Sequence, residues 1–118
     1  MTRKLTYIAV PYTHADPQVR QIRHDIVTRY TAGLMQRGVI AFSPISHTHA
    51  MAVRHGLPET WAFWQASCHA FLSASERVIV LMLDGWRESI GVQAEIRIAE
   101  SMGLELAYDS PSEERVTT

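Results

Sequence analysis

Glu95 is the residue whose position in the sequence most directly suggests chemistry. The segment 89–102 has the pattern of a helix, and Glu95 falls on its apolar stripe, three residues from Val92 and Ile98. The polar stripe on the other side contains Gln93, Arg97, Glu100 and Ser101. Burying an unpaired carboxylate is costly, although the nearby positive end of the helix dipole favours its charged form. Glu95 is therefore either a structural carboxylate with a hydrogen-bonding partner or a perturbed acid in a functional site.

The segment just before this helix, DGWRESIG (84–91), has the composition of an anion-binding turn. It joins a predicted strand to the helix, and its glycines, Gly85 and Gly91, leave the backbone open to a ligand. Free amides and the Ser89 hydroxyl at a helix N-terminus suit a phosphate group. The alternative is that Ser89 only caps the helix and Gly85 only turns the chain. The chain has no glycine-rich dinucleotide fingerprint and no Walker loop, so NAD and ATP sites of those kinds are not expected.

Four apolar runs and the helices between them must position these residues. The predicted strands are 5–10, 39–42, 77–83 and 104–108. One helix starts at Asp16-Pro17 and is closed by Gly38, another opens at Pro58, and the third is 89–102. The histidine-rich segment 43–50 is predicted to be a loop without defined local structure.

This alternation predicts a parallel α/β sheet with right-handed crossovers. The long connections 11–16, 43–58 and 84–88 all follow strand ends, and in open α/β sheets ligands bind at that edge. The polar residues expected to meet there are Tyr12, His14, Ser43, Ser46, His47, His49, Asp84, Arg87, Glu88 and Ser89.

Length and composition limit the class of protein. The 118 residues are 47% hydrophobic and carry a formal net charge of −1, which suits one domain and does not suggest a nucleic-acid partner. The longest apolar run, 78–83, is too short to span a membrane, and the N-terminus has no readable secretory signal. The single cysteine, Cys68, fits a reducing cytoplasm. The histidines have no acidic or thiol partners at recognisable spacing, so no metal is expected.

Several motifs resemble the nucleoside 2-deoxyribosyltransferase-like superfamily: YIAVPY (7–12), the tryptophan-rich mid-chain helix, VIVLMLDGW (78–86) and SIGVQAEI (89–96). The likeness is greatest to a small bacterial and phage branch near the nucleotide 5′-monophosphate N-glycosidases, and it covers about residues 5–108. The resemblance implies a flavodoxin-like or Rossmann-like three-layer sandwich with a four- to five-stranded parallel sheet. We expect this domain over 1–109 and a flexible tail over 110–118.

The resemblance also implies an activity, which is cleavage of the base–sugar bond of a (deoxy)nucleoside 5′-monophosphate without a cofactor. By the family motif, Glu95 is the nucleophile that forms a covalent glycosyl ester, and Tyr7 orients it. The ester then passes to water or to a second base. Ser89 matches a phosphate-contacting serine, which favours a nucleotide over a nucleoside. The remaining candidates for substrate or phosphate contacts are Gly91, Gly85, Asp84, His14 and Ser43.

The general acid is the point at which the sequence departs from the family. The stretch QASCHAF (65–71) has Cys68 or His69 where an aspartate is expected. Cys68 also fits a small buried hydrophobe, His69 fits a surface histidine, and Asp84 is the nearest replacement acid. The alternative function is therefore a nucleotide-binding or sensing domain that is catalytically weak or inactive.

A second copy of the chain is expected to complete the site. Four strands leave a shallow pocket, and the aromatic residues Trp61, Phe63 and Trp64 exceed one helix face. Ile96 also falls on the polar side of its helix. These features predict a homodimer or a higher homo-oligomer.

Overall fold

The computed structural model describes residues 4–111. Its helices and strands, in chain order, are β1 (Leu5–Ala9), α1 (Pro17–Gln36), β2 (Ile40–Phe42), α2 (Pro44–His55), α3 (Trp61–Ser73), β3 (Arg77–Leu81), α4 (Ile90–Ser101) and β4 (Glu105–Asp109). Of the predicted tail 110–118, residues 112–118 lie outside the described residues.

The strands form one parallel sheet in the order β2-β1-β3-β4. On one face Ile8 packs with Val27 and Leu34 of α1, and on the other face Tyr7 packs with residues of α3 and α4. Each central strand is buried on both faces, which explains its continuous apolar sequence. The prediction of a three-layer, parallel α/β fold is confirmed, with four strands in the sheet.

The strand order places a crevice at the carboxyl end of β1. The chain leaves β1 through α1 on one face to reach β2, and β3 then lies on the other side of β1. This reversal is the topological switch point at which open α/β sheets bind ligands.

The expectation of a loop over 43–50 is wrong, because that segment forms α2. The Ser43 hydroxyl oxygen accepts a hydrogen bond from the Ser46 amide at 3.1 Å, and Pro44 occupies the first turn. Gly56 ends the helix with a φ of 63°. These start and stop signals are present in the sequence, but the histidines and the threonine between them hide the helical periodicity.

Two other helix predictions need correction. α3 begins at Trp61 rather than Pro58, and the Pro58 carbonyl instead accepts a hydrogen bond from the Trp64 indole at 2.7 Å. Ile96 does not lie on a polar surface, since it is 8% exposed and packs in the core between α4 and the sheet. Ile96 therefore gives no support to an interface with a second copy. Within residues 4–111, no helix is long and apolar enough to cross a membrane.

Candidate functional site

A cavity of about 350 Å³ opens at the carboxyl edge of the sheet, a size within the range of small-molecule sites. Its walls come from the end of β1 and the residues after it, from α2, from the entry to α3, and from the N-terminus of α4. The residues that matter most for its chemistry are Tyr12, Thr13, Thr48, Glu59, Trp61, Trp64, Cys68, Glu88, Ser89, Gly91 and Glu95.

Glu95 lies in the wall of this cavity and is only 6% exposed, as its place on the apolar stripe predicts. The hydroxyl of Tyr7, fully buried on β1, donates a hydrogen bond to its carboxyl Oε2. Burial raises the pKa of Glu95 to about 8, and the hydrogen bond from Tyr7 acts in the opposite direction by stabilising the charged form. At neutral pH burial therefore favours the protonated carboxyl group.

Cys68 of α3 is the third member of this buried cluster. Its side chain lines the cavity and lies close enough to the Tyr7 hydroxyl and the Glu95 carboxyl group to interact with both electrostatically. Burial, and then the charge of Glu95, raise the pKa of the thiol to about 11. Cys68 is therefore a neutral thiol at physiological pH and a very weak proton donor.

The N-terminus of α4 forms another part of the wall. The Ser89 hydroxyl oxygen accepts a hydrogen bond from the Val92 amide at 3.1 Å, so the serine caps the helix. Its own proton can still be directed into the cavity. A Cβ at Gly91 would lie 3.6 Å from the Trp61 ring, which is an ordinary contact, so space alone does not require glycine there.

The structure places five of the other sequence candidates away from the lining of this cavity. Asp84 and Gly85 form a turn, in which the backbone carbonyl of Asp84 accepts a hydrogen bond from the Arg23 side chain at 3.0 Å. His14 accepts a hydrogen bond from the Asp16 amide at 2.9 Å. The remaining two are Ser43, the cap of α2, and His69, which is exposed and lines a separate depression between α3 and α4.

Two cavity carboxylates, Glu59 and Glu88, were not singled out as acids by the sequence reasoning. The Glu59 Oε2 atom lies 2.6 Å from the Nε atom of Arg20, and its backbone carbonyl accepts a hydrogen bond from Thr13 at 2.8 Å. The sequence prediction places Glu59 in the first turn of a helix that opens at Pro58, whereas in the structure it precedes α3. The Pro-Glu-Thr sequence just ahead of an aromatic helix is the signal that could have found it.

Both ring nitrogens of His49 contact protein groups. Nδ1 lies 2.6 Å from the Tyr12 hydroxyl, and Nε2 lies 2.9 Å from the Gln21 side-chain oxygen. Within residues 4–111, no group of three or more histidine, cysteine or acidic side chains is placed to hold a metal ion.

The fold and site define a small parallel α/β protein with a ligand-sized cavity at its switch point. Residues 4–109 match the family described as a domain of unknown function, DUF1937, and the chain belongs to that family. No protein of curated function matches the chain.

Proposed function

We propose that the protein is an N-glycosidase, or a closely related glycosyl transferase, that cleaves the base–sugar bond of a nucleoside or deoxynucleoside 5′-monophosphate. The observation that carries this proposal is the buried Glu95 carboxyl group, held by the Tyr7 hydroxyl in the wall of a cavity that also contains a helix N-terminus. The sequence resemblance to the nucleoside 2-deoxyribosyltransferase-like superfamily supports the same activity.

In this mechanism Glu95 acts as the nucleophile. Its ionised carboxylate attacks the anomeric carbon, and the electron pair of the breaking glycosidic bond leaves with the base nitrogen, which takes up a proton. Positive charge that develops on the sugar favours the ionised form of Glu95 and offsets part of its burial penalty. Water then cleaves the glycosyl ester, supplying the hydroxyl group of the sugar and restoring the proton that the base removed.

Neither carboxylate of the cavity wall is suited to protonate the departing base in place of the family's missing aspartate. Glu88 lines the cavity one residue before the helix cap, at the proposed phosphate end, and Glu59 is held in an ion pair with Arg20. Cys68 and His69 are also poor donors, because the thiol is too weak an acid and the imidazole lines a separate depression. The departing base therefore takes up its proton from water.

The N-terminus of α4 holds the 5′-phosphate. Ser89 can donate its hydroxyl proton, and the first amides of the helix carry a partial positive charge. This arrangement accommodates one anion without a basic surface, in keeping with a net charge of −1. We do not expect nucleic acid or a membrane as a partner.

A nucleotide-binding or sensing domain without catalytic activity is the second candidate. It is favoured by the burial of Glu95, which raises the pKa of the carboxyl group to about 8 and so disfavours the nucleophilic carboxylate at neutral pH.

Base release from a panel of nucleoside 5′-monophosphates distinguishes the two functions. We expect the wild-type protein to release free base, detected by chromatography, and Glu95→Ala and Glu95→Gln to lose that release. Glu100→Gln, an exposed change on the same helix, is the matched control and keeps it. A 2′-fluoro nucleotide should leave a mass adduct on Glu95. Nucleotide binding with no base release from the wild-type protein would instead establish the binding domain.

We further propose a cytoplasmic homo-oligomer in which a second copy covers the cavity rim. Ile90 lines the cavity at the first turn of α4 yet is 74% exposed, and Phe63, whose ring packs on the cavity residue Trp64, is 47% exposed. Large exposed apolar side chains beside a site are typical of an interface. Light scattering should give at least a dimeric mass, and a monomeric mass at micromolar concentration would contradict this.

A further inference from the structure

Two threonine hydroxyls in the cavity wall donate their hydrogen bonds to backbone carbonyls of the protein. Thr13 donates to the Glu59 carbonyl and Thr48 donates to the Pro44 carbonyl, each at 2.8 Å. Both threonines line the cavity. Because a hydroxyl has one proton and two lone pairs, these two groups can offer only acceptors to a ligand.

A chain of hydrogen bonds also makes the Tyr12 hydroxyl an acceptor toward a ligand. The Gln21 amide nitrogen donates to Asp25 at 2.9 Å, which directs the Gln21 oxygen toward Nε2 of His49. Nε2 must then carry the ring proton, so Nδ1 has a lone pair and accepts the Tyr12 hydroxyl proton at 2.6 Å. Asp25, two contacts away, thereby fixes the phenol oxygen as an acceptor.

The surroundings of His49 keep it neutral, as this arrangement requires. The ring is 6% exposed and stacks on His24 at 4.3 Å between centroids. Burial, and then His24, lower its pKa, with Arg20 adding to the effect and Asp25 opposing it. Arg20 also interacts with the Tyr12 hydroxyl, which leaves the second lone pair of the phenol oxygen for a ligand.

The cavity is therefore divided by hydrogen-bonding character. The side formed by α2 and the residues after β1 offers acceptors at Tyr12, Thr13 and Thr48, with the Glu59 carboxylate beside them. The α4 side offers donors at the first helix amides and the Ser89 hydroxyl, beside the acidic side chains of Glu88 and Glu95. An elongated ligand fits this arrangement with its anionic end at α4 and its hydrogen-bond donors at Tyr12.

We propose that Tyr12 selects nucleotides whose base carries an exocyclic amino group, as adenine and cytosine do. The inference rests on the proposed nucleotide substrate. The wall beside Tyr12 contains the apolar side chains of Val10, Pro44 and Ile45, which suit the face of a planar base. A base that presents a carbonyl oxygen to the same wall would face the acceptor oxygens of Tyr12, Thr13 and Thr48 and is disfavoured.

Binding to the Glu95→Gln protein, which cannot turn substrate over, tests this selectivity. Adenosine 5′-monophosphate is compared with purine riboside 5′-monophosphate, which lacks only the amino group, and with inosine 5′-monophosphate, which has a carbonyl in its place. Trp61 and Trp64 line the cavity and give a fluorescence signal. We expect loss of the amino group to weaken binding at least about tenfold and the carbonyl to weaken it further.

The Tyr12→Phe change, made in the same background, should reduce the preference for the amino group to within about twofold. Tyr108→Phe, at an exposed tyrosine on β4, is the matched control and should keep it. Equal binding of the three nucleotides by the parent, or an unchanged preference in Tyr12→Phe, would overturn the role of Tyr12 alone. If none of the nucleotides binds, the proposed function is overturned with it. The comparison of ligands on the parent decides the question even if Tyr12→Phe does not fold.

Discussion

Tyr7 donates a hydrogen bond to the carboxyl group of Glu95, although 88 positions separate them in the chain. The contact links the central strand β1 to helix α4 and leaves both side chains nearly inaccessible, at 0% and 6% exposure. Burial disfavours the charged carboxylate and the phenol donor favours it. The protonation state of Glu95 therefore depends on the balance of these two effects.

The first prediction concerns the pH dependence of stability. The pKa of Glu95 is about 8 in the folded protein and near the ordinary 4.5 in the unfolded chain. Between these values the folded state holds the extra proton, so the contribution of Glu95 to stability falls as pH rises and levels off above about pH 8. Chemical unfolding across this window should show a loss of roughly 1 kcal/mol per pH unit from this group.

The Glu95→Gln variant isolates that contribution from every other titrating group. The free energy of unfolding of the variant, relative to that of the wild type, should increase steadily from pH 5 to pH 8, because the amide cannot ionise. Glu100→Gln, on the exposed face of α4, should follow the wild-type curve. Parallel curves for wild type and Glu95→Gln would mean that Glu95 titrates normally.

The second prediction is that Tyr7→Phe raises the pKa of Glu95 further. The change removes the one hydrogen bond that favours the carboxylate and leaves the aromatic ring in place. If ionised Glu95 is the nucleophile, kcat/KM should rise with pH through a midpoint near 8 in the wild type and through a higher midpoint in Tyr7→Phe. Tyr108→Phe serves as the control, and an unshifted midpoint in Tyr7→Phe would rule out the orienting role.

The third prediction separates the two roles of Ser89. Ser89→Asp retains an oxygen that can cap α4 but places negative charge where the phosphate is proposed to bind. We expect near-normal stability, at least about tenfold weaker binding of a nucleoside 5′-monophosphate, and little change for the matching nucleoside. Calorimetry with each ligand measures this difference.

Ser43→Ala is the matched control, because Ser43 caps α2 with the same 3.1 Å contact and does not line the cavity. It should lower stability by about 1 kcal/mol without affecting nucleotide binding. Unweakened binding of the monophosphate by Ser89→Asp would show that the phosphate is held elsewhere.

Much of the fold follows from local sequence signals. β1 and β3 are continuous apolar runs, Asp16-Pro17 marks the start of α1, and Ser89 marks the start of α4. The sequence does not predict α2, because polar residues occupy half of it and only its ends, Ser43-Pro44 and Gly56, carry clear helix signals.

The candidate site was predictable only where it depends on local periodicity. Glu95 and Ser89 belong to one helix, so their spacing places them on defined sides of it. The contact between Tyr12 and His49 joins residues 37 positions apart, and the position of Glu59 depends on Arg20 of α1. Such contacts are set by how the helices pack across the sheet edge, which no spacing in the sequence encodes.

The fourth prediction is that the Cys68 thiol is unreactive in the folded protein. With a pKa of about 11, about one molecule in a thousand carries the reactive thiolate at pH 8, and the side chain is only 8% exposed. Reaction with a disulfide reagent should be slow for the native protein, rapid after unfolding, and faster in Glu95→Gln, which lacks the charge that opposes ionisation. An Ala66→Cys thiol on the exposed side of α3, in a Cys68→Ala background, should react rapidly without unfolding.

The same prediction covers activity. The rate of base release by Cys68→Ala should stay within a fewfold of the wild-type rate. A far larger loss would show that Cys68 acts as a proton donor.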